Sequence, residues 1–164
     1  MEEVSTNASD QIPIIDLSKL IGSSEIHHHD ELEKLHFACR EWAIFQLINH
    51  GVSEEVIVQM KINTQEFFQL PLEEKNAYAQ LPTSIEHHGQ AAFVVSERQK
   101  LDWGDMLFLF PHPASSRNLR FWPTNPTSFR KTLENYSWEV RRIAINLVHV
   151  LEPGSLFREV YKYV

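Results

Sequence analysis

The chain has one cysteine, Cys39, so it holds no intrachain disulfide and no Cys-based zinc site. Only 5 of its 164 residues are glycine and 8 are proline, which excludes collagen-like and low-complexity classes. Basic residues are in the minority: 15 Lys and Arg against 22 Asp and Glu leave a formal charge of −7. A chain of that sign is poorly suited to nucleic acid or anionic membranes. The longest apolar runs are about five residues, against the roughly 20 needed to span a bilayer. The polar, acidic start Met1–Asp10 lacks the basic and apolar regions of a secretory signal. The expectation is a cytoplasmic protein with no nucleic-acid or membrane partner. Glycine-rich phosphate loops are missing as well.

What is present suits one α+β domain, since 43% of residues are hydrophobic and can supply a core. Residues 1–10 read as a flexible tail. Ile12–Leu17 and Ala43–Ile48 are short strand-like runs, the second closed by the turn residues Asn49-His50-Gly51. Between them Asp30 resembles a helix cap with Glu33 three residues on. Leu32, Leu35, Cys39 and Trp42 then recur at helical spacing, which predicts a helix over 31–42 with Cys39 buried on its apolar face. Ser53 is placed to cap a second helix, with Val56, Met60, Thr64, Phe67 and Phe68 on its stripe and a stop near Pro71. A short helix over 72–78, a loop over 79–88 and strands at 91–95 and 106–110 follow. The longest periodic segment predicts a helix over 126–151, capped by Asn125 and ended by Pro153-Gly154.

Two features invite a chemical reading. His28-His29-Asp30 is a literal His-x-Asp, the spacing of the 2-His-1-carboxylate iron triad, and His87 and His88 are available as a distal histidine. The context opposes it, because such a pair needs a rigid strand that aims both side chains at one point. Here the flanks are Gly22-Ser23-Ser24-Glu25 and a helix start, so His27-His28-His29 reads as a solvated loop that takes up metal only adventitiously. The chain is expected to have no catalytic and no metal-ligating residue. The aromatic stretch Trp103, Phe108, Phe110, Phe121 and Trp122 reads either as core plus connector or as the wall of a ligand pocket.

Five stretches together carry a resemblance. They are Ile12–Leu17; Phe37-Ala38-Cys39-Arg40-Glu41-Trp42 running into Phe45-Gln46-Leu47-Ile48-Asn49-His50-Gly51; Phe67-Phe68-Gln69-Leu70-Pro71 with Glu73-Glu74-Lys75; Trp103-Gly104-Asp105; and Leu119-Arg120-Phe121-Trp122-Pro123. In these the chain resembles the N-terminal region of plant 2-oxoglutarate- and Fe(II)-dependent dioxygenases, in the branch of norcoclaurine-synthase-like, codeine-demethylase-like and senescence-related proteins. The resemblance implies helices and short strands over 11–151 that pack on and extend a C-terminal double-stranded β-helix, a jelly roll that this sequence does not continue into. Residues 152–164 are a divergent tail.

The resemblance implies oxidation of a small-molecule substrate with Fe(II) and 2-oxoglutarate, both held in the family by the C-terminal barrel. No Arg-x-Ser for 2-oxoglutarate occurs; Arg130-Lys131-Thr132 is the nearest string. The chain by itself is therefore expected to bind no cofactor and to be a truncated, non-catalytic N-terminal part. The alternative is a non-catalytic interaction module that associates with full-length relatives, another partner or itself through exposed strands. Where the family commonly has Gly-Tyr-Gly-Gln, this chain has His87-His88-Gly89-Gln90. Its tyrosine can face substrate, so His88 is the one position to which the resemblance assigns a pocket-wall role.

Overall fold

A computed structural model describes residues 11–22, 25–81, 84–89, 98, 100 and 104–151. The expected strand at 91–95, Trp103 and both expected tails lie outside the described residues. The chain divides into two compact units, residues 1–51 with 142–157 and residues 52–141 with 158–164.

In the first unit, strand β1 (Ile14–Asp16) leads directly into helix α1 (Leu17–Gly22), so the expected strand 12–17 is shorter than its β-branched run. Asp16 explains the switch. Its Oδ1 accepts from the Ser18 backbone N–H at 3.0 Å and from the Ser18 hydroxyl at 2.7 Å, which caps the new helix. Its Oδ2 accepts from Asn49 Nδ2 at 2.8 Å, just beyond strand β2 (Gln46–Ile48). The Ser18 hydroxyl lowers the Asp16 carboxyl below its usual value against the opposing effect of burial, and Asn49 adds to the lowering. Strands β1 and β2 run parallel with Ile15 opposite Leu47.

Helix α2 spans Glu25–Phe37 and corrects the sequence reading at three points. His27-His28-His29 is helical rather than a loop, Asp30 lies inside the helix rather than at its cap, and the apolar face is shifted by one residue. Glu31 is buried on that face. It accepts the Asp16 backbone N–H at 2.8 Å and pairs with Lys34 Nζ at 3.2 Å. A carboxylate hydrogen-bonded to β1 turns Leu35 and Ala38 inward, leaving Cys39 exposed. The helix ends in a π turn, Ala38–Trp42, closed by the Ala43 N–H on the Ala38 carbonyl at 2.9 Å, with Ala43 at φ 55°. The core of this unit gathers Ile15, Leu17, Leu20, Leu35 and Ala38, with Ile143 and Leu147 packed against it.

In the second unit, Ser53 caps helix α3 (Glu54–Gln69) by accepting the Val56 N–H at 3.3 Å. Helix α4 (Leu72–Asn76) starts after Pro71. The expected loop at 79–88 is corrected in its last residues, because His87–Gly89 forms strand β3. It pairs antiparallel with β4 (Met106–Phe108), placing His88 opposite Leu107. Helix α5 runs Phe129–Leu151, three residues later than its proline signal, with the Phe129 N–H on the Pro126 carbonyl at 3.0 Å.

Asn63, which the periodicity of α3 did not single out, is buried between helices. Its Oδ1 accepts from the Ser128 hydroxyl at 2.6 Å, and its Nδ2 donates to the Gln59 carbonyl at 2.8 Å and to Thr132 Oγ1 at 3.4 Å. Of the aromatic stretch, Phe121 and Trp122 are core and Phe110 is exposed. The Arg117 guanidinium lies 5.2 Å from the Trp122 ring centroid while Nη1 donates to Glu134 at 2.7 Å. Among the described residues no helix is long and apolar enough to cross a membrane.

Candidate functional site

His88 is positioned from three sides in the second unit. Pairing with β4 fixes its backbone, and its N–H donates to the Tyr78 carbonyl at 2.8 Å, tying β3 to the end of α4. Its ring is buried, and stands edge-on to Phe67 with centroids 5.7 Å apart and planes at 81°. Phe67 is itself the centre of an aromatic cluster. Phe68, Tyr78 and Phe129 lie 5.2, 5.9 and 5.7 Å from it, centroid to centroid.

The polar side of the site comes from two residues that the sequence reading did not single out. Asp105 immediately precedes β4 and meets His88 Nε2 at 2.8 Å. Lys75, in the last turn of α4, donates to the same carboxylate at 2.8 Å and to the Phe68 carbonyl at 3.3 Å. Burial alone raises the Asp105 carboxyl, but the hydrogen bonds and charge of Lys75 and His88 outweigh it and hold the group below the usual carboxylate range. His88 Nδ1 is buried and has no hydrogen-bond partner among the described residues. A signal for both partners was present, since Lys75 closes the stretch Glu73-Glu74-Lys75 and Asp105 closes Trp103-Gly104-Asp105. What the sequence hides is that these two strings meet.

Among the described residues the other histidines do not come together as an iron site. Residues two apart on an α-helix point about 200° away from each other, which separates His28 from Asp30. His28 Nδ1 is engaged with the Leu20 carbonyl at 2.9 Å, and His29 Nε2 lies 3.4 Å from Glu33 Oε1. Among the described residues no group of three or more His, Cys, Asp or Glu side chains converges to hold a metal ion.

The family model described as the N-terminal region of the non-haem dioxygenase in morphine synthesis matches residues 12–125. The chain belongs to this family. S-norcoclaurine synthase 1 of Coptis japonica is 56% identical over 141 residues, which are 86% of this chain and 39% of that protein. The 2-oxoglutarate-dependent dioxygenase 11 of Oryza sativa subsp. japonica is 53% identical over 83% of this chain and 37% of its own length. Among solved structures, JOX2 in complex with 2OG, Fe and JA matches with a TM-score of 0.73 at 32% identity, over 85% of this chain and 39% of that one. This dioxygenase N-terminal domain thus spans about two-fifths of the relatives it matches, and its helices and short strands are those of their N-terminal part.

Proposed function

We propose that residues 11–151 are the N-terminal domain of a 2-oxoglutarate- and Fe(II)-dependent oxygenase of a small-molecule substrate, and that His88 forms part of its substrate-pocket wall. The observation that carries the second half is the burial of His88 on the Phe67 cluster with one ring nitrogen engaged by Asp105 and the other left without a partner among the described residues. On this reading iron and 2-oxoglutarate are held by a C-terminal barrel, and residues 1–164 by themselves do not turn over. The exposed thiol of Cys39 fits a reducing compartment, and the reading includes a cytoplasmic location.

The outer face of the β1–β2 pair supports the same reading. Ile14 and Ile48 share that face and are 54% and 44% exposed, whereas parallel strands are ordinarily covered on both sides. A barrel seated there would cover them. Left bare, the same surface is the one through which copies of the chain would self-associate.

The decisive experiment grafts residues 1–151 onto the C-terminal part of the rice dioxygenase. The expected result is Fe(II)-dependent consumption of 2-oxoglutarate by the graft and none by residues 1–164. A folded graft that binds iron and 2-oxoglutarate yet is inert, or turnover by residues 1–164 alone, would overturn the proposal. For the pocket wall, His88→Phe in the graft should change which substrates are accepted while leaving uncoupled 2-oxoglutarate consumption in place.

A further inference from the structure

A single hydrogen-bonded chain decides what His88 offers to a ligand. Lys75 is an obligate donor and meets Oδ2 of the Asp105 carboxylate at 2.8 Å. The carboxylate is an obligate acceptor when ionised, and it lies 2.8 Å from His88 Nε2. Two acceptors do not bond one another, so Nε2 must carry the proton. A neutral imidazole has one N–H and one lone pair, and the lone pair is then on Nδ1. That atom is buried and without a partner among the described residues. A buried acceptor left unpaired is costly, by more than a made hydrogen bond contributes. The edge-on contact with Phe67 and the Nε2 contact with Asp105 hold the ring against the flip that would exchange the two nitrogens.

We propose that Asp105, itself held by Lys75, fixes neutral His88 as the Nε2–H tautomer, so that in this form Nδ1 is a hydrogen-bond acceptor and the ligand group recognised at this position is a donor, a hydroxyl or an amine N–H. The assignment rests on the pocket-wall reading for the ligand and on the described geometry for the tautomer. Lys75 and Asp105 are positioning residues here, acting through the imidazole. A ligand whose matching group is an ether or a carbonyl oxygen would set acceptor against acceptor and be rejected.

The test uses the 164-residue chain labelled with 15N at histidine, at about pH 8, above the ordinary imidazole range. Long-range 15N–1H spectra distinguish protonated from bare ring nitrogens. The expected result is a protonated Nε2 and a bare Nδ1 for His88. In Asp105→Asn, Lys75 keeps the carboxamide oxygen at the Oδ2 position and the NH2 takes the Oδ1 position, also 2.8 Å from Nε2, so a donor there opposes the Nε2 proton and the two shifts should move toward exchange as the Nδ1–H tautomer gains population. Asp105→Glu should keep the wild-type tautomer, an outcome a merely structural role would not produce.

A bare Nε2 in the wild type, or no exchange in Asp105→Asn, would overturn the proposal. Should Asp105→Asn not fold, the wild-type tautomer and Lys75→Met decide, the latter expected to keep Nε2–H because the carboxylate remains. Phenol and anisole then probe the ligand class, matching in shape and differing in the donor. Phenol should shift the bare Nδ1 resonance and anisole should not. Equal responses, or none to phenol, would overturn the donor assignment. If the tautomer is as stated but His88→Phe in the barrel graft leaves substrate choice unchanged, it is the pocket-wall reading that fails.

Discussion

Phe67 is the residue on which the second unit is most exposed to a single change. Its side chain is fully buried, and four rings, Phe68, Tyr78, His88 and Phe129, surround it at centroid distances of 5.2 to 5.9 Å. These rings come from α3 itself, the end of α4, β3 and the start of α5, so the cluster joins four segments. An aromatic of this size buries about 200 Å². At about 25 cal/mol per Å² its removal corresponds to about 5 kcal/mol, somewhat less because alanine keeps the Cβ. Direct Phe→Ala changes in cores cost about 3–5 kcal/mol. Phe67→Ala is therefore expected to destabilise by about 4 kcal/mol. Phe67→Leu keeps most of the volume and loses the edge-to-face contacts, for about 1.5 kcal/mol.

Urea unfolding followed by tryptophan fluorescence, with Trp42, Trp103 and Trp138 replaced by Phe so that buried Trp122 alone reports, reads the same unit. With a slope of about 2 kcal/mol per molar, the alanine variant should move the midpoint by about 2 M and the leucine variant by less than 1 M. A loss below about 1 kcal/mol in Phe67→Ala would refute the assignment of Phe67 as the centre of the core. A leucine variant as damaged as the alanine one would refute the volume argument instead, because ring geometry would then outweigh filling.

Three further outcomes are expected. The folded-state Asp105 carboxyl lies below its ordinary value of 3.8, so the stability it contributes is present above that pH and lost as pH falls through the folded value. Asp105→Asn should flatten this acid limb in stability measured against pH, and an unchanged limb would contradict the Lys75 and His88 contacts. Asn63→Leu removes three hydrogen bonds and leaves the Ser128 hydroxyl seeking a partner, for about 2 kcal/mol in the same urea assay; a neutral result would mean that α3 and α5 do not depend on this junction. Cys39 is exposed on the π turn, so the folded chain should react with a thiol reagent at the rate of a free cysteine. Protection until unfolding would restore the buried reading of the sequence.

Most elements were legible because their signals are local. Ser53 before Glu54-Glu55, Pro71 before Leu72, and the long stripe ending at Leu151 announce α3, α4 and α5 by cap, proline and period alone. The misreadings share one cause, a distant partner that overrides a local rule. Asp30 has the sequence of a cap, yet α2 begins five residues earlier, and Glu31 is drawn inward by the Asp16 N–H at the far end of β1. That same contact moves the apolar face and exposes Cys39. His87-His88-Gly89 has no strand propensity to speak of and becomes β3 because β4 and the Tyr78 carbonyl supply its ladder. At the site, the sequence singled out His88 but not what holds it, because the partners lie 13 and 17 residues away on either side.

Four of the five stretches that carry the family resemblance behave as halves of pairs. Asp16 from the first bonds Asn49 from the second, and Lys75 from the third bonds Asp105 from the fourth. Apolar positions between them tolerate exchange of similar volumes, whereas a polar pair is lost when either half changes. This is why short, separated strings are enough to mark the fold. By the resemblance a tyrosine stands in the family where this chain has His88, at one of these junctions, and such an exchange is of a kind the junction accepts. A phenol O–H and an imidazole N–H both donate, so an aspartate beside either keeps a partner. What the imidazole adds is a second nitrogen that the aspartate does not use. Under the proposed pocket-wall role, the polar pairing with Asp105 stays with the scaffold, and the nitrogen turned away from it is where a difference in ligand choice would arise.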